Sequence, residues 1–312
     1  MTVLALLAAL PCLFWTQPVE TAAELEAAGI VRVCAPPAQA DAWRAAGFSV
    51  VPLDEAGRAE RQMATTPGIL VQADRASATR SPWIDANGWR FRRAPAQRYD
   101  YQVRAGKAAL AAAEAFAYGV DASLTIDPAD LAELGRMQAF LAQLPASDLK
   151  EVADLGVVDA GGAIMGEVLN LLTRRNLLFR LVPATSAEFP LTIRIGPGGY
   201  SLEEAADPSA FALTVRRKLT DGKRSLRLFG SEAVIARLTA DGGRARLHLL
   251  NYGGREIEGL RVRLRGEYRG AEAQVAGPGR VALTDYVVAD GATEFSLPRL
   301  PVYGVVDLTA GR

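Results

Sequence analysis

The sequence predicts a multidomain α/β protein that ends in an antiparallel β-sandwich. Three observations support this fold class. The chain has 312 residues, about twice a usual domain of ~100–200 residues, so it can bury more than one core. Short strand-like and helix-like runs alternate through the first two thirds, as is typical of βα units around a parallel sheet. From Val234 onward the hydrophobic period changes from that of a helix to that of a strand.

The N-terminal part is predicted to contain tight βα units. Strand-like runs start near residues 13, 31, 49 and 69, and helix-like runs, including the polar run Glu55–Ala64, separate them. Thr21 and Glu24 form a predicted capping box at the start of one helix. Residues 72–105 are predicted as a long loop and Pro145–Lys150 as a linker. The first domain is therefore assigned to residues 1–148.

Two further domains follow. Residues 149–232 are predicted as a small α/β layer, in which Gly161-Gly162 leads into a helix and Leu226–Phe229 is the last strand. Residues 233–312 contain short alternating or apolar runs, with turns such as Asp241-Gly242-Gly243 between them. Short strands between turn signals are typical of a β-sandwich.

The charge and hydropathy patterns exclude several partner classes. Lys plus Arg and Asp plus Glu number 35 each, so no overall positive field exists to hold nucleic acid or an anionic membrane. The first ten residues are apolar but too short to span a bilayer, and they are either a truncated signal peptide or a first buried strand. No other run approaches ~18 uninterrupted apolar residues, so no membrane-spanning segment is expected.

Few residues are available for metal or nucleophilic chemistry. His248 is the only histidine and lies in an alternating run, so a strand position in the sandwich is expected for it. Cys12 and Cys34 each lie in an apolar strand-like run, where they are either inert buried thiols or a disulfide between neighbouring strands. Zinc sites and Ser–His or Cys–His catalysis are therefore excluded, and neither a metal nor a cofactor is expected.

Three segments resemble parts of a known group of proteins. The run from His248 to Tyr252 is similar to the start of the C-terminal β-sandwich in secreted bacterial glycoside-hydrolase-like proteins. Residues Gly156–Phe229 resemble the glutamine-amidotransferase-like middle domain of family-42 β-galactosidases. Residues Ala115–Ala122 resemble a late helix and strand of the catalytic (β/α)8 barrel of that family.

The resemblance implies a fold of three parts, namely a reduced (β/α) barrel-like layer, a small α/β amidotransferase-like structural domain and the β-sandwich. It also implies a carbohydrate ligand, a homo-oligomer, and a secreted, periplasmic or envelope-associated protein. The N-terminal part has about 145 residues, whereas a complete barrel needs at least ~200. The barrel is therefore expected to be reduced or lost.

Glycoside hydrolysis generally needs two carboxylates that face one sugar. Asp85 on the predicted long loop, and Glu20 and Asp127 near the ends of predicted strands, are the candidates for acid and base. Two of them also have structural interpretations, Asp127 as a helix N-cap and Glu20 as a charge that favours a helix dipole. No pair stands out among them.

The best binding signal is the run Trp83–Phe91. Exposed tryptophan faces stack on the C–H groups of sugars, so Trp83 and Trp89 predict a sugar platform. The other predicted contacts to the ligand are polar side chains, namely Asn87, Arg90 and Gln17. The alternative is an Asn-Gly turn whose flanking tryptophans anchor the loop to the core.

The sequence thus predicts a carbohydrate-active protein, with hydrolysis through Asp85 and one strand-end carboxylate. A noncatalytic glycan-binding or assembly protein descended from such a hydrolase is the alternative. A third interpretation is a structural subunit that needs a partner chain to complete its sheet.

Overall fold

The computed structural model describes residues 10–69 and 83–311, and the chain divides into two compact units. The first unit runs up to Gly68 and continues over Ala94–Ser147. The second unit comprises the described parts of Ile69–Arg93 and Asp148–Arg312. The predicted binding run Trp83–Phe91 therefore belongs to the second unit. The predicted domain limits at residues 148 and 232 stay predictions.

The strands are short in the first two thirds of the chain and longer in the last third. The described strands are β1 (Cys12–Phe14), β2 (Arg32–Ala35), β3 (Ser49–Pro52), β4 (Gln62–Ala64), β5 (Gly68–Ile69), β6 (Ile84–Asp85), β7 (Tyr99–Gln102), β8 (Ala122–Thr125), β9 (Lys150–Glu151), β10 (Leu155–Val158), β11 (Phe179–Val182), β12 (Leu191–Arg194), β13 (Leu226–Phe229), β14 (Val234–Ala240), β15 (Arg244–Asn251), β16 (Ile257–Arg265), β17 (Gly270–Val275), β18 (Gly279–Val281), β19 (Thr284–Ala289), β20 (Ala292–Leu300) and β21 (Tyr303–Thr309). The described α-helices are α1 (Ala22–Ala27), α2 (Ala40–Ala45), α3 (Glu55–Ala59), α4 (Gly88–Arg93), α5 (Ala108–Tyr118), α6 (Leu131–Gln143), α7 (Gly162–Arg174), α8 (Leu202–Ala205) and α9 (Pro208–Leu219).

The first unit is built on a parallel six-stranded sheet with the order β3-β2-β1-β8-β7-β4. The predicted βα alternation is confirmed here, because the strands near residues 13, 31 and 49 pair as parallel neighbours. Among the described strands, β3 and β4 lie at the two edges, so this sheet is open. The alanine-rich helix α5 ends at Gly119, whose φ of 67° lies in the left-handed region, as the sequence predicts.

Gln138 of α6 binds the backbone of the neighbouring strands with both ends of its amide. Its Oε1 accepts from the backbone N–H groups of Val31 and Arg32 at 3.0 and 3.2 Å. Its Nε2 donates to the carbonyl oxygens of Pro11 and Arg32 at 3.1 and 3.2 Å. The side chain is fully buried, so α6 is held to the sheet by a polar group that water does not reach.

Cys12 and Cys34 form a disulfide between β1 and β2, with their Cα atoms 5.4 Å apart and a separation of 22 residues in sequence. Closing a loop of this length stabilises a fold by about 3 kcal/mol in the chain-entropy model. We therefore expect Cys34→Ala to lower the free energy of unfolding of the first unit by about that amount, measured by urea denaturation. If the wild type in reducing agent is as stable as it is when oxidised, the crosslink contributes nothing.

Three local predictions for the chain up to residue 105 are wrong. Thr21 forms no capping box, because its hydroxyl donates to the Pro18 carbonyl and accepts from the Trp15 indole N–H. The predicted helix Glu55–Ala64 ends at Ala59, because residues 62–64 pair with β7 and the sheet overrides their helix propensity. The predicted loop 72–105 contains β6, α4 and β7 in its described part, because its apolar residues are buried.

The second unit contains a three-stranded parallel sheet with the order β11-β10-β12. As the sequence predicts, β10 leads through Gly161 and Gly162 into α7. Asp207 caps α9 by accepting from the N–H groups of two residues in its first turn. Apolar side chains of α7, α9 and this sheet form one buried cluster that includes Val157, Leu172 and Phe211. This cluster is the core against which the candidate site described below is built.

The C-terminal part of the second unit is antiparallel, as the change of hydrophobic period predicts. It contains one sheet with the order β13-β16-β20-β19 and one with the order β18-β17-β21-β15-β14-β9. A buried apolar cluster joins residues of both sheets, among them Leu247 and Phe295. His248 lies in β15 with its Nδ1 2.7 Å from the Tyr303 hydroxyl oxygen. None of the described helices is long and apolar enough to cross a membrane.

Two predicted assignments are corrected by these sheets. Leu226–Phe229, predicted as the last strand of the α/β layer, is β13 and pairs with β16 in an antiparallel sheet. Lys150, the last residue of the predicted linker, begins β9, which pairs with β14 and forms the edge of that sheet. In both cases the partner strand is distant in sequence. The local sequence pattern therefore does not show which strand satisfies the backbone N–H and C=O groups of the segment.

Asp154, just before β10, changes the stability of the folded state by an amount that depends on pH. Burial raises the pKa of its carboxyl above the ordinary value, although the Ser225 backbone N–H and hydroxyl donate to it at 2.8 and 2.6 Å. A raised folded-state pKa means that this residue's contribution to stability is present in acid and lost as the pH rises through that pKa.

We therefore expect Asp154→Asn to become more stable relative to the wild type as the pH is raised from about 4 toward neutrality. Urea denaturation of both proteins at several pH values measures this difference. Asp148→Asn is the control, because the Asp148 side chain is 82% exposed. A constant difference between Asp154→Asn and the wild type at all pH values would contradict the prediction.

Candidate functional site

The predicted binding run begins with Trp83, which is 36% exposed. After the short strand β6, Asn87 is fully buried, and its carbonyl oxygen accepts from the N–H groups of Arg90 and Phe91. These bonds start helix α4 at the position where the sequence suggests an Asn-Gly turn. Asp85 and Arg90 form an ion pair at 3.7 Å. The ligand-binding and catalytic roles of these side chains stay predictions.

Trp89 is half-buried against the apolar cluster of the parallel sheet. Its ring lies so close to α7 that a Cβ on Gly166 would be 3.2 Å from the ring. The guanidinium groups of Arg90 and Arg93 lie 4.5 and 5.9 Å from its ring centroid. This arrangement fits the anchoring alternative for Trp89 and leaves Trp83 as the more exposed of the two predicted platform residues.

Two arginines of α4 fasten the run to the rest of the second unit. Arg93 donates to both carboxylate oxygens of Asp159 at 2.6 and 2.7 Å. Burial opposes ionisation of Asp159, but the hydrogen bonds from Arg93 and from the Gly161 N–H outweigh it and lower the pKa of this carboxyl. Arg92 donates twice to Glu151, at 2.9 and 2.7 Å. These two arginines thus hold α4, which forms the second part of the run, to Glu151 of β9 and to Asp159 after β10.

The other predicted site residues, Gln17, Glu20 and Asp127, belong to the first unit. All three are exposed. Gln17 and Glu20 follow β1, and Asp127 follows β8. Because these two strands are parallel neighbours, all three residues come after the carboxyl-terminal ends of adjacent strands. The Asp127 carboxylate accepts from the Ala129 N–H at 2.9 Å, which is the N-cap bond that the sequence predicts. Their roles in binding or catalysis stay predictions.

A cavity of about 270 Å³ lies beside Trp83 in the second unit. Its apolar wall consists of Trp83, Leu171, Leu228 and Phe229. Its polar wall contains five arginines, namely Arg174, Arg175, Arg216, Arg224 and Arg227. Asn176, Ser209, Ser231 and Glu232 complete the lining. The volume is near the lower end of the ~300–1,000 Å³ usual for small-ligand pockets. We call it the arginine cavity.

The arginines of this cavity come from separate elements. Arg174 and Arg175 lie at the end of α7, and Arg216 lies in the last turn of α9. Arg224 and Arg227 flank the start of β13. Sequence reasoning missed this site, because basic residues at the ends of helices are explained by the helix dipole alone. The adjacent pair Arg174-Arg175, in a chain with no net charge, was the available signal.

The electrostatics of the arginine cavity are dominated by like charges. The Arg174 guanidinium lies 4.7 Å from the Trp83 ring centroid. Burial and the neighbouring Arg175 lower the pKa of Arg174, although Glu167 and Glu232 oppose this effect. Burial, Arg216 and Arg227 lower the pKa of Arg224, although Asp221 opposes it. The cavity therefore holds more positive charge than its own carboxylates balance.

The cavity can bind a ligand, but on its own it lacks the groups for acid–base hydrolysis. Glu232 is the carboxylate among its lining residues, whereas the usual mechanism needs two. In the parts of the chain that the structure describes, no group of three His, Cys, Asp or Glu side chains could hold a metal ion. The geometry thus indicates a binding site with one aromatic wall and one cationic wall.

Comparison with solved structures gives a glycoside-hydrolase-like fold at low sequence identity. The chain is similar to α-L-fucosidase isoenzyme 2 from Paenibacillus thiaminolyticus, with a TM-score of 0.56 and 9% identity over 88% of this chain and 70% of that one. For a rhamnosidase from Novosphingobium sp. the TM-score is 0.49, with 11% identity over 88% of this chain and 38% of that one. For a catalytic mutant of a family-42 β-galactosidase from G. stearothermophilus it is 0.37, with 9% identity over 79% and 53%.

No protein-family model and no curated protein matches the sequence. The predicted likeness to glycoside hydrolases is confirmed at the level of the fold. The likeness to family 42 in particular, and secretion, stay predictions.

Proposed function

We propose that this chain is a carbohydrate-active protein that binds a glycan in the arginine cavity. The observation that carries the proposal is the position of Trp83, a half-exposed aromatic face on the wall of a cavity lined by hydrogen-bond donors. An aromatic face and convergent polar groups are what a sugar needs, because its ring has an apolar C–H face and a rim of hydroxyls. The glycoside-hydrolase-like fold supports this proposal.

The enzymatic form of the proposal is glycoside hydrolysis through paired carboxylates. Asp85, Glu20 and Asp127 are the candidates that the sequence predicts, each taken by itself, and Glu232 is added because it lines the cavity. Carboxyl groups ~5–5.5 Å apart give retention of configuration, and those ~6.5–9.5 Å apart give inversion. The noncatalytic form is a glycan-binding or assembly protein that has kept the scaffold of a hydrolase.

The finer architectural and cellular predictions belong to the same proposal. We propose that the open parallel sheet is a reduced (β/α) barrel-like layer and that residues 149–232 form an amidotransferase-like structural domain. We also propose that the two C-terminal antiparallel sheets form a β-sandwich and that the protein is a secreted or envelope-associated homo-oligomer. Size-exclusion chromatography with light scattering tests the oligomer.

A glycan array tests the binding proposal. We expect Trp83→Ala to weaken glycan binding about tenfold without changing the melting temperature, because it removes a stacking face and leaves the core intact. Trp83→Phe should retain most of the binding. Leu202→Ala is the control, because Leu202 is an exposed apolar residue, 62% accessible, that does not line the cavity. If Trp83→Ala binds glycans as well as the wild type does, the glycan site must lie elsewhere on the protein.

A chromogenic glycoside panel separates the enzymatic form from the noncatalytic form. Each carboxylate is replaced alone, as Asp85→Asn, Glu20→Gln, Asp127→Asn or Glu232→Gln. A general acid or base contributes ~10²–10⁴-fold to the rate, so loss of turnover of that size in one variant identifies the group. Binding without turnover in the wild type supports the noncatalytic form.

A further inference from the structure

We propose that the arginine cavity recognises an acidic saccharide, one that carries a carboxylate or a sulfate ester on its ring. This inference rests on the proposed function and specifies the substrate class of the same site. It is carried by the arginines that line the cavity, by the small number of acids among them, and by the aromatic wall that Trp83 provides.

The first step is the charge balance of the cavity. Among the residues that the structure describes, five arginines line it, and the one acid in this lining is Glu232. Asp221 lies just outside and is shared by three of the arginines, at 3.2 Å from Arg224, 3.5 Å from Arg216 and 3.8 Å from Arg227. With Glu167, which acts on Arg174, three carboxylates of the described residues stand against five guanidinium groups, so a positive excess remains although the whole chain has no net charge. A neutral sugar needs no such excess.

The second step is burial. The Arg224 side chain is only 6% exposed, and placing charged groups together out of water costs free energy unless an opposite charge joins them. The Nε atoms of Arg175 and Arg224 are buried, and no acceptor for either lies within the described residues. The forked guanidinium group matches the two oxygens of a carboxylate or sulfate. An anionic substituent bound in the cavity would therefore supply the missing opposite charge.

The third step is the shape of the ligand. An inorganic anion alone would not use the apolar wall of Trp83, Leu228 and Phe229, of which Phe229 is 45% exposed. A ring with an apolar face and an acidic substituent uses both walls at once. A nucleotide has these two features as well, and it is therefore included among the probes below. The glycoside-hydrolase-like fold also favours the saccharide.

Isothermal titration calorimetry tests the inference with matched probes. The acidic probe is trigalacturonic acid, and the neutral probe is the same trimer with its carboxyl groups reduced to alcohols. A sulfated disaccharide distinguishes sulfate from carboxylate, and adenosine monophosphate represents the nucleotides. We expect the acidic trimer to bind at least about tenfold more tightly than the neutral one, since a hydrogen bond to a charged group stabilises more than a neutral one. Binding should weaken as salt is added.

Arg216→Gln and Arg175→Gln should each weaken binding of the acidic trimer about tenfold and weaken binding of the neutral trimer by a smaller factor. Arg216 is suited to this test because its side chain is 45% exposed, so its replacement should not unfold the protein. Arg299→Gln is the charge-matched control, since Arg299 is 60% exposed and pairs with Glu256 away from the cavity.

The outcomes separate this inference from the proposed function. Equal binding of the acidic and neutral trimers would overturn the inference and retain a glycan site. Tighter binding of adenosine monophosphate than of every saccharide would overturn it in favour of a nucleotide site. If no saccharide on the array or in the calorimeter binds the wild type, the proposed function itself fails. A sulfated disaccharide that binds more tightly than the trimer would support the inference and select sulfate.

Discussion

Replacing Gln138 by leucine is expected to lower the free energy of unfolding of the first unit by about 4 kcal/mol. The Gln138 amide makes four hydrogen bonds to the backbone around β1 and β2, and its side chain is fully buried. Leucine fills a similar volume but leaves the N–H groups of Val31 and Arg32 without this acceptor. Each buried group that loses its partner costs ~1–3 kcal/mol.

Urea denaturation followed by circular dichroism measures this effect. Gln143→Leu is the matched control, because Gln143 lies on the same helix but is exposed, so its change should stay within about 0.5 kcal/mol. The prediction concerns the first unit, so the arginine cavity of the second unit should keep its ligand affinity. Equal stability of the Gln138 and Gln143 variants would mean that water or relaxed backbone replaces the lost bonds.

The parts of the fold that local pattern controls could be predicted from the sequence. Glycine at the end of α5 and the Asp207 N-cap of α9 are features of a few consecutive residues, and both are present. The change of hydrophobic period at Val234 likewise marks the antiparallel region. Alternation of apolar and polar residues along a strand indicates that one face of the sheet is buried. These features need no knowledge of distant parts of the chain.

The parts that depend on distant partners could not be predicted. β13 looks like the other strands of the α/β layer, and only its pairing with β16 reveals its sheet. The arginine cavity joins residues from Trp83 to Glu232, and each of its arginines has an ordinary local explanation. Trp83 could be predicted as a binding residue, because a single aromatic side chain is enough to suggest a stacking surface. An arginine indicates a binding site only when other arginines lie near it in the folded chain.

Arg92→Met is expected to destabilise the second unit by about 4 kcal/mol and to weaken ligand binding at Trp83 as well. The Arg92 side chain is 8% exposed, donates twice to one carboxylate oxygen of Glu151, and lies 5.0 Å from the Phe179 ring centroid. Methionine keeps the apolar stem but leaves Glu151 with its longer contact to Arg237 at 3.4 Å. Removing one member of a buried ion pair typically costs ~3–5 kcal/mol.

The loss of binding has a separate cause. Arg92 holds α4, which begins five residues after Trp83, so loosening this helix should lower affinity even where the protein remains folded. Arg299→Met is the control, because the ion pair of Arg299 with Glu256 is 60% and 29% exposed, so its loss should cost less than about 1 kcal/mol. A double-mutant cycle with Glu151→Gln isolates the pair: a coupling energy near zero would show that Arg92 acts through its packing on Phe179 and not through its charge.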